Sequence, residues 1–240
     1  FDVKKLQSFN GEYIRMMPVE DFIAIVSKLK STFTNHDITK DIIREIIKEL
    51  SYNPNLTYFD VPRLRVVTSD NYLSSGVGYA YKAHRDTWYG SPEQQVNVWL
   101  PVYDTTPENG LLFYPYYWDN PINNTSEQFD YNEWLVEGRQ QAVNQVKVDS
   151  RNHPLPLTNP ATTQPFIYSG KAGSTLFFSA SHLHGTVPNT SGKTRFSIDF
   201  RLIRSEDLSN GKGAINLDNR SKGTTLGDFI KASDFTKPDD

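Results

Sequence analysis

The chain has 240 residues and no cysteine. This length suffices for one domain with a substantial core, and the absence of cysteine excludes disulfides, cysteine nucleophiles, cysteine-based zinc sites and cysteine-ligated iron–sulfur clusters. Hydrophobic residues make up 37% and charged residues 22% of the chain, with a net charge of −3, which is typical of a globular protein and gives no case for nucleic-acid or membrane binding.

No apolar run approaches the roughly 18 residues of a membrane span. The start, Phe1-Asp2-Val3, has no signal-peptide pattern and no initiator methionine, so residues can precede Phe1. We therefore expect a cytoplasmic protein that neither crosses a membrane nor binds nucleic acid.

Two amphipathic helices are predicted before residue 62. Apolar residues recur at helical spacing in Pro18–Phe33 and again in Asp37–Leu50, where five isoleucines and a leucine share one face. Each helix has one face suited to packing on a sheet. We interpret residues 1–62 as a helical buttress.

From Arg63 onward the pattern changes to short strands separated by turns. The six candidate strands are Arg63–Thr68, Val77–Asp86, Gln94–Val102, Leu111–Tyr114, Ser174–Ser179 and Thr194–Ile203. Helices followed by many short strands predict a mainly β protein with flanking helices, built as a double-stranded β-helix, also called a jelly roll or cupin-like fold.

We expect a single domain over 1–240, with its jelly-roll core at 63–204 and a C-terminal tail at 205–240. An insertion at 119–165 contains a predicted helix, Tyr131–Val148, and such insertions often become lids or substrate loops. A short helix is predicted over Thr224–Ile230.

Two candidate strands alternate apolar and polar side chains. One strand has the polar face Gln95, Asn97 and Trp99, and the other has Arg195, Ser197, Asp199 and Arg201. If helices or a second sheet cover the apolar faces, the polar faces line the mouth of the barrel, whereas ordinary strands would turn them to solvent.

One histidine–aspartate pair stands out as a candidate metal site. In extended backbone, residues i and i+2 point to the same side, so His84 and Asp86 can meet one metal ion while Arg85 points away. Two histidines and one carboxylate form the facial triad of non-haem Fe(II) oxygenases. A third ligand would come from a distant segment such as His184.

The segment after His184 carries a family resemblance. His84-x-Asp86, the distal His184-Gly185, and Arg195 eleven residues later with Ser197 beside it resemble the Fe(II)/2-oxoglutarate dioxygenases, and within them the phytanoyl-CoA dioxygenase-like group. This match spans roughly residues 66–202. It implies a jelly-roll enzyme that hydroxylates a small molecule and releases succinate and CO2.

The resemblance also implies roles for individual residues. His84, Asp86 and His184 would be the iron ligands, and Arg195 with Ser197 would bind the far carboxylate of the cosubstrate 2-oxoglutarate, with O2 as the second cosubstrate. Asn97 and Trp99 are further candidates for cosubstrate contact. The presence of the Asp86 carboxylate favours hydroxylation or a related oxidation, because halogenating members typically replace it with a small residue.

Three alternatives remain open from the residues alone. The first is a metal-dependent isomerase or hydrolase of cupin type that does not use 2-oxoglutarate. The second is a non-catalytic jelly roll that binds a small molecule. The third is that the triad is a chance arrangement and His84 is a structural histidine.

The clues to the substrate conflict. Arg201 and Lys82 favour an anionic group if they face the pocket, whereas the aromatic residues around Tyr116 favour a ring or a sugar face. His182, two residues before His184, is a third candidate for substrate contact. The expected partner is a small molecule such as a secondary metabolite or a sugar derivative, and the oligomeric state is open.

Overall fold

The structure, a computed structural model, describes residues 36–69, 82–138 and 151–238. Within these ranges lie nine strands: β1 (Thr57–Phe59), β2 (Arg63–Val67), β3 (Val96–Pro101), β4 (Leu111–Phe113), β5 (Phe166–Tyr168), β6 (Leu176–Ser179), β7 (His184–Thr186), β8 (Arg195–Arg204) and β9 (Ile230–Lys231). The helices are α1 (His36–Glu49), α2 (Tyr131–Glu133), which continues as a π-helical turn over Trp134–Gly138, and α3 (Ser205–Ser209). None of the described helices is long and apolar enough to cross a membrane.

Two antiparallel sheets form the core, as the predicted jelly roll requires. In the larger sheet the strand order is β6-β3-β8-β1-β9, and β2 also pairs with β8; the smaller sheet has the order β5-β4-β7. Trp99 of β3 packs with Leu111 and Phe113 of β4, which joins the two sheets. The predicted fold class is therefore confirmed.

Helix α1 covers the outer face of the larger sheet. Its buried Ile43 and Ile47 pack with Val98 of β3 and with Phe200 and Leu202 of β8. Burying an aliphatic or aromatic side chain of this kind contributes about 1.5–3 kcal/mol. Because this packing covers the apolar faces of β3 and β8, their polar faces turn inward, as the alternation predicted.

The larger sheet extends beyond the bounds predicted for the core, 63–204, at both ends. β1 pairs with β8 through Tyr58 and Ile203, and β9 pairs with β1 on its other side. The C-terminal segment is therefore part of the sheet. The strand at Ile230 corrects the end of the short helix predicted over Thr224–Ile230, where only a 3-10 turn forms, at Leu226–Asp228.

Other predicted elements fare differently. The helix expected over Asp37–Leu50 is confirmed by α1, whereas the one over Pro18–Phe33 lies outside the described residues. The helix expected over Tyr131–Val148 begins as α2, and its part beyond Gly138 also lies outside them.

The expected strand Val77–Asp86 is wrong at its C-terminal end. His84 forms an isolated bridge and Asp86 opens a 3-10 turn that ends at Tyr89. The intervening Arg85 keeps extended dihedrals, φ −105° and ψ 142°, so the alternation of side chains through it is preserved.

Candidate metal centre and cavity

Three side chains converge at the inner end of a cavity. His84, Asp86 and His184 each offer one ligand atom, and these atoms lie within 4.8 Å of one another. The backbones of the two histidines form two hydrogen bonds with each other. The His84 N–H donates to the His184 carbonyl at 2.8 Å, and the His184 N–H donates to the His84 carbonyl at 3.0 Å. The bridge fixes both backbones where their side chains leave for the site.

Hydrogen bonds outside the triad orient all three ligands. Nδ1 of His84 lies 2.9 Å from the Lys82 carbonyl, and Nδ1 of His184 lies 2.9 Å from the His182 carbonyl, which leaves each Nε2 for a metal. Asn97 donates to Oδ2 of Asp86 at 2.5 Å, so Oδ1 is the oxygen that faces His84 Nε2, at 3.5 Å. Such outer partners set the tautomer and direction of metal ligands.

The protonation states suit a cation as well. Burial alone would raise the pKa of Asp86, but hydrogen bonding to His84, the nearby imidazoles and the Asn97 amide outweigh burial and lower it to about 2. Burial, with the neighbouring His84, lowers the pKa of His184 to about 4. Both groups are deprotonated near neutral pH, which metal ligation requires. The donor set and its orientation therefore fit one divalent metal ion.

The residues predicted to bind 2-oxoglutarate lie at the start of β8. Nη1 of Arg195 donates to the carbonyls of Asn109 and Gly110 at 3.0 and 3.2 Å, and its guanidinium carbon lies 5.8 Å from the centre of the Trp99 ring. Arg195 and Trp99 both line the cavity. Ser197 is fully buried, and its hydroxyl has no hydrogen-bond partner among the described residues.

Asn97, a predicted cosubstrate contact, lines the cavity and also contacts Asp86. Its amide is committed to Asp86, and it also accepts from Nε2 of Gln95 at 2.9 Å. Asn97 therefore orients the Asp86 carboxylate.

The cavity has a volume of about 320 Å³ and extends well beyond the triad. Arg201 lines it, but Lys82, His182 and the fully buried Ser197 do not. Lys82 is exposed, and His182 packs its ring on Trp118, with ring centres 4.4 Å apart, while its Nδ1 accepts from the Ser179 N–H. The chain turns at residues 180–182 and is not extended there, so the side-chain alternation of a strand does not apply to His182 and His184.

Two features of the site went unpredicted. Arg85 is buried between the two ligands, where it donates to the carbonyls of Ser181, Tyr117 and Asn120 and pairs with Asp218, Nε to Oδ1 at 3.0 Å. The second feature is the part of the cavity lining drawn from the β1–β2 region and from the C-terminal segment; a role in substrate binding was expected only of the insertion, which also lines the cavity. Both depend on pairings across long stretches of sequence.

The Asp218 carboxylate connects three segments of the chain. Besides Arg85, it accepts from Nε1 of Trp88 at 2.7 Å and from the N–H of Ile122 at 2.9 Å. The loop that carries His84 and Asp86 is thereby tied both to the insertion and to the C-terminal segment.

A mainly β jelly roll with two histidines and a carboxylate poised for one metal ion defines the class as a cupin-like metalloprotein. A family model described as phytanoyl-CoA dioxygenase (PhyH) matches residues 11–197. The chain therefore belongs to the phytanoyl-CoA dioxygenase family, the group of Fe(II)- and 2-oxoglutarate-dependent oxygenases that its motifs resemble. No curated protein matches the chain at a significant level.

Three of the solved structures that match this chain are EvdO2, ThoJ and SnoN. EvdO2 from Micromonospora carbonacea var. aurantiaca, complexed with 2-oxoglutarate, is 12% identical, with 76% of this chain and 64% of EvdO2 covered and a TM-score of 0.42. The non-haem monooxygenase ThoJ is 12% identical, with 85% and 78% covered and a TM-score of 0.44. The epimerase SnoN, in complex with Fe3+, alpha ketoglutarate and nogalamycin RO, is 15% identical, with 76% and 67% covered and a TM-score of 0.42.

Proposed function

We propose that this chain is an Fe(II)- and 2-oxoglutarate-dependent oxygenase that hydroxylates a small molecule. The proposal rests on three ligand atoms that lie within 4.8 Å of one another. Each of the three side chains is oriented by a hydrogen bond to a residue outside the triad. This arrangement matches what a facial triad needs, and it occurs in a chain that belongs to a dioxygenase family.

His84, Asp86 and His184 would hold iron on one face. When bound, iron together with 2-oxoglutarate and O2 supplies the oxidising chemistry: one oxygen atom enters a C–H bond of the substrate, and 2-oxoglutarate becomes succinate and CO2. The protein would place the substrate and the cosubstrate next to the metal. The Asp86 carboxylate occupies the position that a halide would need, which favours hydroxylation.

Arg195 would bind the far carboxylate of 2-oxoglutarate. Its planar guanidinium can present two donors to two carboxylate oxygens, and the two carbonyls that hold Nη1 fix the plane of the group. The unsatisfied hydroxyl of Ser197, two residues along the same face of β8, supports a further hydrogen bond from this strand.

The proposal is tested by anaerobic addition of Fe(II) and 2-oxoglutarate to purified protein. We expect a weak visible charge-transfer band, and succinate formation once O2 is admitted. Asp86→Ala should lose the band while its circular dichroism spectrum matches the wild type. A metal-loaded, folded protein that gives no band, or that turns over a substrate without O2 and 2-oxoglutarate, would instead support the isomerase or hydrolase alternative.

A further inference from the structure

The cavity beyond the metal centre has a wall of paired charges. Three arginines and two aspartates form it: Arg63, Arg65, Arg201, Asp60 and Asp199. Arg65 holds Asp199 with two hydrogen bonds, of 2.6 and 3.2 Å, and Arg201 holds Asp60 at 2.7 Å. Asp60 also pairs with Arg63.

This charged wall extends along β2 and β8, and Arg65 lies opposite Ser197, two residues from Arg195. Six residues separate Arg195 from Arg201 on β8, which corresponds to roughly 20 Å at about 3.3 Å per residue. In the β3–β8 pairing, Arg201 is opposite Asn97, the residue that holds Asp86. The Arg201 end of the wall is therefore beside the metal centre, whereas its Arg65 end is near the residues proposed to bind the cosubstrate.

Because these arginines and aspartates pair with one another, we do not expect a charged ligand at this wall. An anion would compete with Asp60 and Asp199 for the same guanidinium groups, and a cation would face three arginines. A hydroxyl group suits both partners, because it donates to a carboxylate and accepts from a guanidinium. Asp228, which also lines the cavity and accepts from the Tyr131 hydroxyl at 2.5 Å, adds a third carboxylate. Arg151 adds a fourth arginine, whose guanidinium lies over the Trp134 ring and donates to the Gly138 carbonyl.

Aromatic rings form a second wall next to the triad. The Tyr89 ring lies 5.6 Å from that of His84 and 5.1 Å from that of Phe129. Trp134 continues the cluster, 5.8 Å from Phe129 and 5.2 Å from His153. Rings of this kind pack on the apolar face of a flat ligand and leave its polar edge for other groups.

A buried hydroxyl in the C-terminal segment completes the lining. Thr225 lines the cavity, and its Oγ1 has no hydrogen-bond partner among the described residues. Buried polar atoms are rarely left in this state, so a partner from a bound molecule is the simplest explanation.

We propose that the substrate is a neutral, hydroxyl-rich ring compound of the glycoside or cyclitol class. This inference rests on the proposed function and specifies its substrate. The ring packs on Tyr89 and Trp134, and its hydroxyls bind the charged wall and Thr225. A cavity of about 320 Å³ that also holds the cosubstrate has room for about one such ring, so the rest of a larger glycoside lies outside the mouth.

The test compares three methyl pyranosides that differ in one group: methyl glucoside, methyl glucuronide and methyl glucosaminide, with myo-inositol as the cyclitol. Each is scored by perturbation of the anaerobic Fe(II)–2-oxoglutarate band and by succinate formation above the uncoupled rate. We expect a neutral member to act at a concentration at least tenfold below that of the acid and the amine.

Preference for the acid or the amine would overturn the proposal, as would a panel in which no neutral member has an effect. In both cases the band itself persists, so the proposed oxygenase function would stand. Absence of the band would instead count against that function.

A conservative variant provides an independent measurement. Thr225→Val keeps the size of the side chain and removes a hydroxyl that has no described protein partner, so the fold should be retained. The KM for the neutral ring compound should rise about two- to tenfold, as loss of one neutral hydrogen bond predicts. Thr162→Val, at an exposed threonine that does not line the cavity, is the matched control. An unchanged KM in Thr225→Val would remove Thr225, and the polar lining built on it, from the substrate site.

Discussion

Replacing Asp218 with alanine should destabilise the whole domain. In the native structure this carboxylate neutralises the guanidinium of Arg85, whose side chain is only 2% exposed. Removing one partner of such a buried pair leaves the other charge uncompensated, which costs about 3–5 kcal/mol. The Trp88 indole and the Ile122 N–H lose their acceptor at the same time.

For a chain of 240 residues, each kcal/mol shifts the melting temperature by about 2–4 °C, so Asp218→Ala should lower it by about 6–20 °C. The measurement is thermal unfolding of chelator-treated protein followed by circular dichroism, so that metal binding does not contribute. Asp218→Asn keeps an acceptor oxygen, so its melting temperature should lie between those of the wild type and Asp218→Ala.

Glu127→Ala is the matched control for this prediction. Glu127 pairs with Arg220 at 3.3 Å and so links the same two segments, but its side chain is 62% exposed and that of Arg220 is 70% exposed. Exposed pairs of this kind contribute about 0–1 kcal/mol. If the melting temperature of Asp218→Ala is no lower than that of Glu127→Ala, then Asp218 is not what stabilises the Arg85 charge. The interpretation that Asp218 holds the three segments together would then be wrong.

Three further predictions concern the site. His184→Ala should abolish iron binding, measured by titration of the visible band, whereas His182→Ala should keep it, since His182 packs on a tryptophan outside the cavity; the reverse result would misplace the distal ligand. Asn97→Leu removes the donor that fixes Asp86 and should weaken iron binding about 10–100-fold, and unchanged affinity would show that the carboxylate needs no such support. Arg195→Ala should raise the 2-oxoglutarate requirement about a hundredfold or more while iron still binds, because an unpaired buried carboxylate costs about 3–5 kcal/mol; an unchanged requirement would exclude Arg195 from cosubstrate binding.

Much of the fold was predictable because its signals are local. The apolar stripe of α1 and the alternation in β3 and β8 follow from periodicity alone, and both predict which face is buried. His84 and Asp86 are brought together by the extended backbone at Arg85, so their spacing was informative even though Asp86 belongs to a 3-10 turn.

What the sequence did not reveal depends on distant pairings. The ion pair between Arg85 and Asp218 spans 133 residues, and no local pattern marks either residue as a partner of the other. β9 has two residues and carries too little alternation to predict a strand. From the sequence, Arg201 was expected to favour an anion if it faces the pocket. The sequence does not show that Asp60 neutralises Arg201, because that ion pair is evident only in the structure.

The position of Asp218 has a consequence for the order of events during synthesis. Translation delivers all three metal ligands before it delivers Asp218, so a nascent chain can possess the complete triad while Arg85 still has no counter-ion. The segment around Arg85 can then form its native ion pair only after residue 218 has left the ribosome. A chain terminated before residue 218 would therefore carry all three predicted metal ligands but would lack the counter-ion of Arg85.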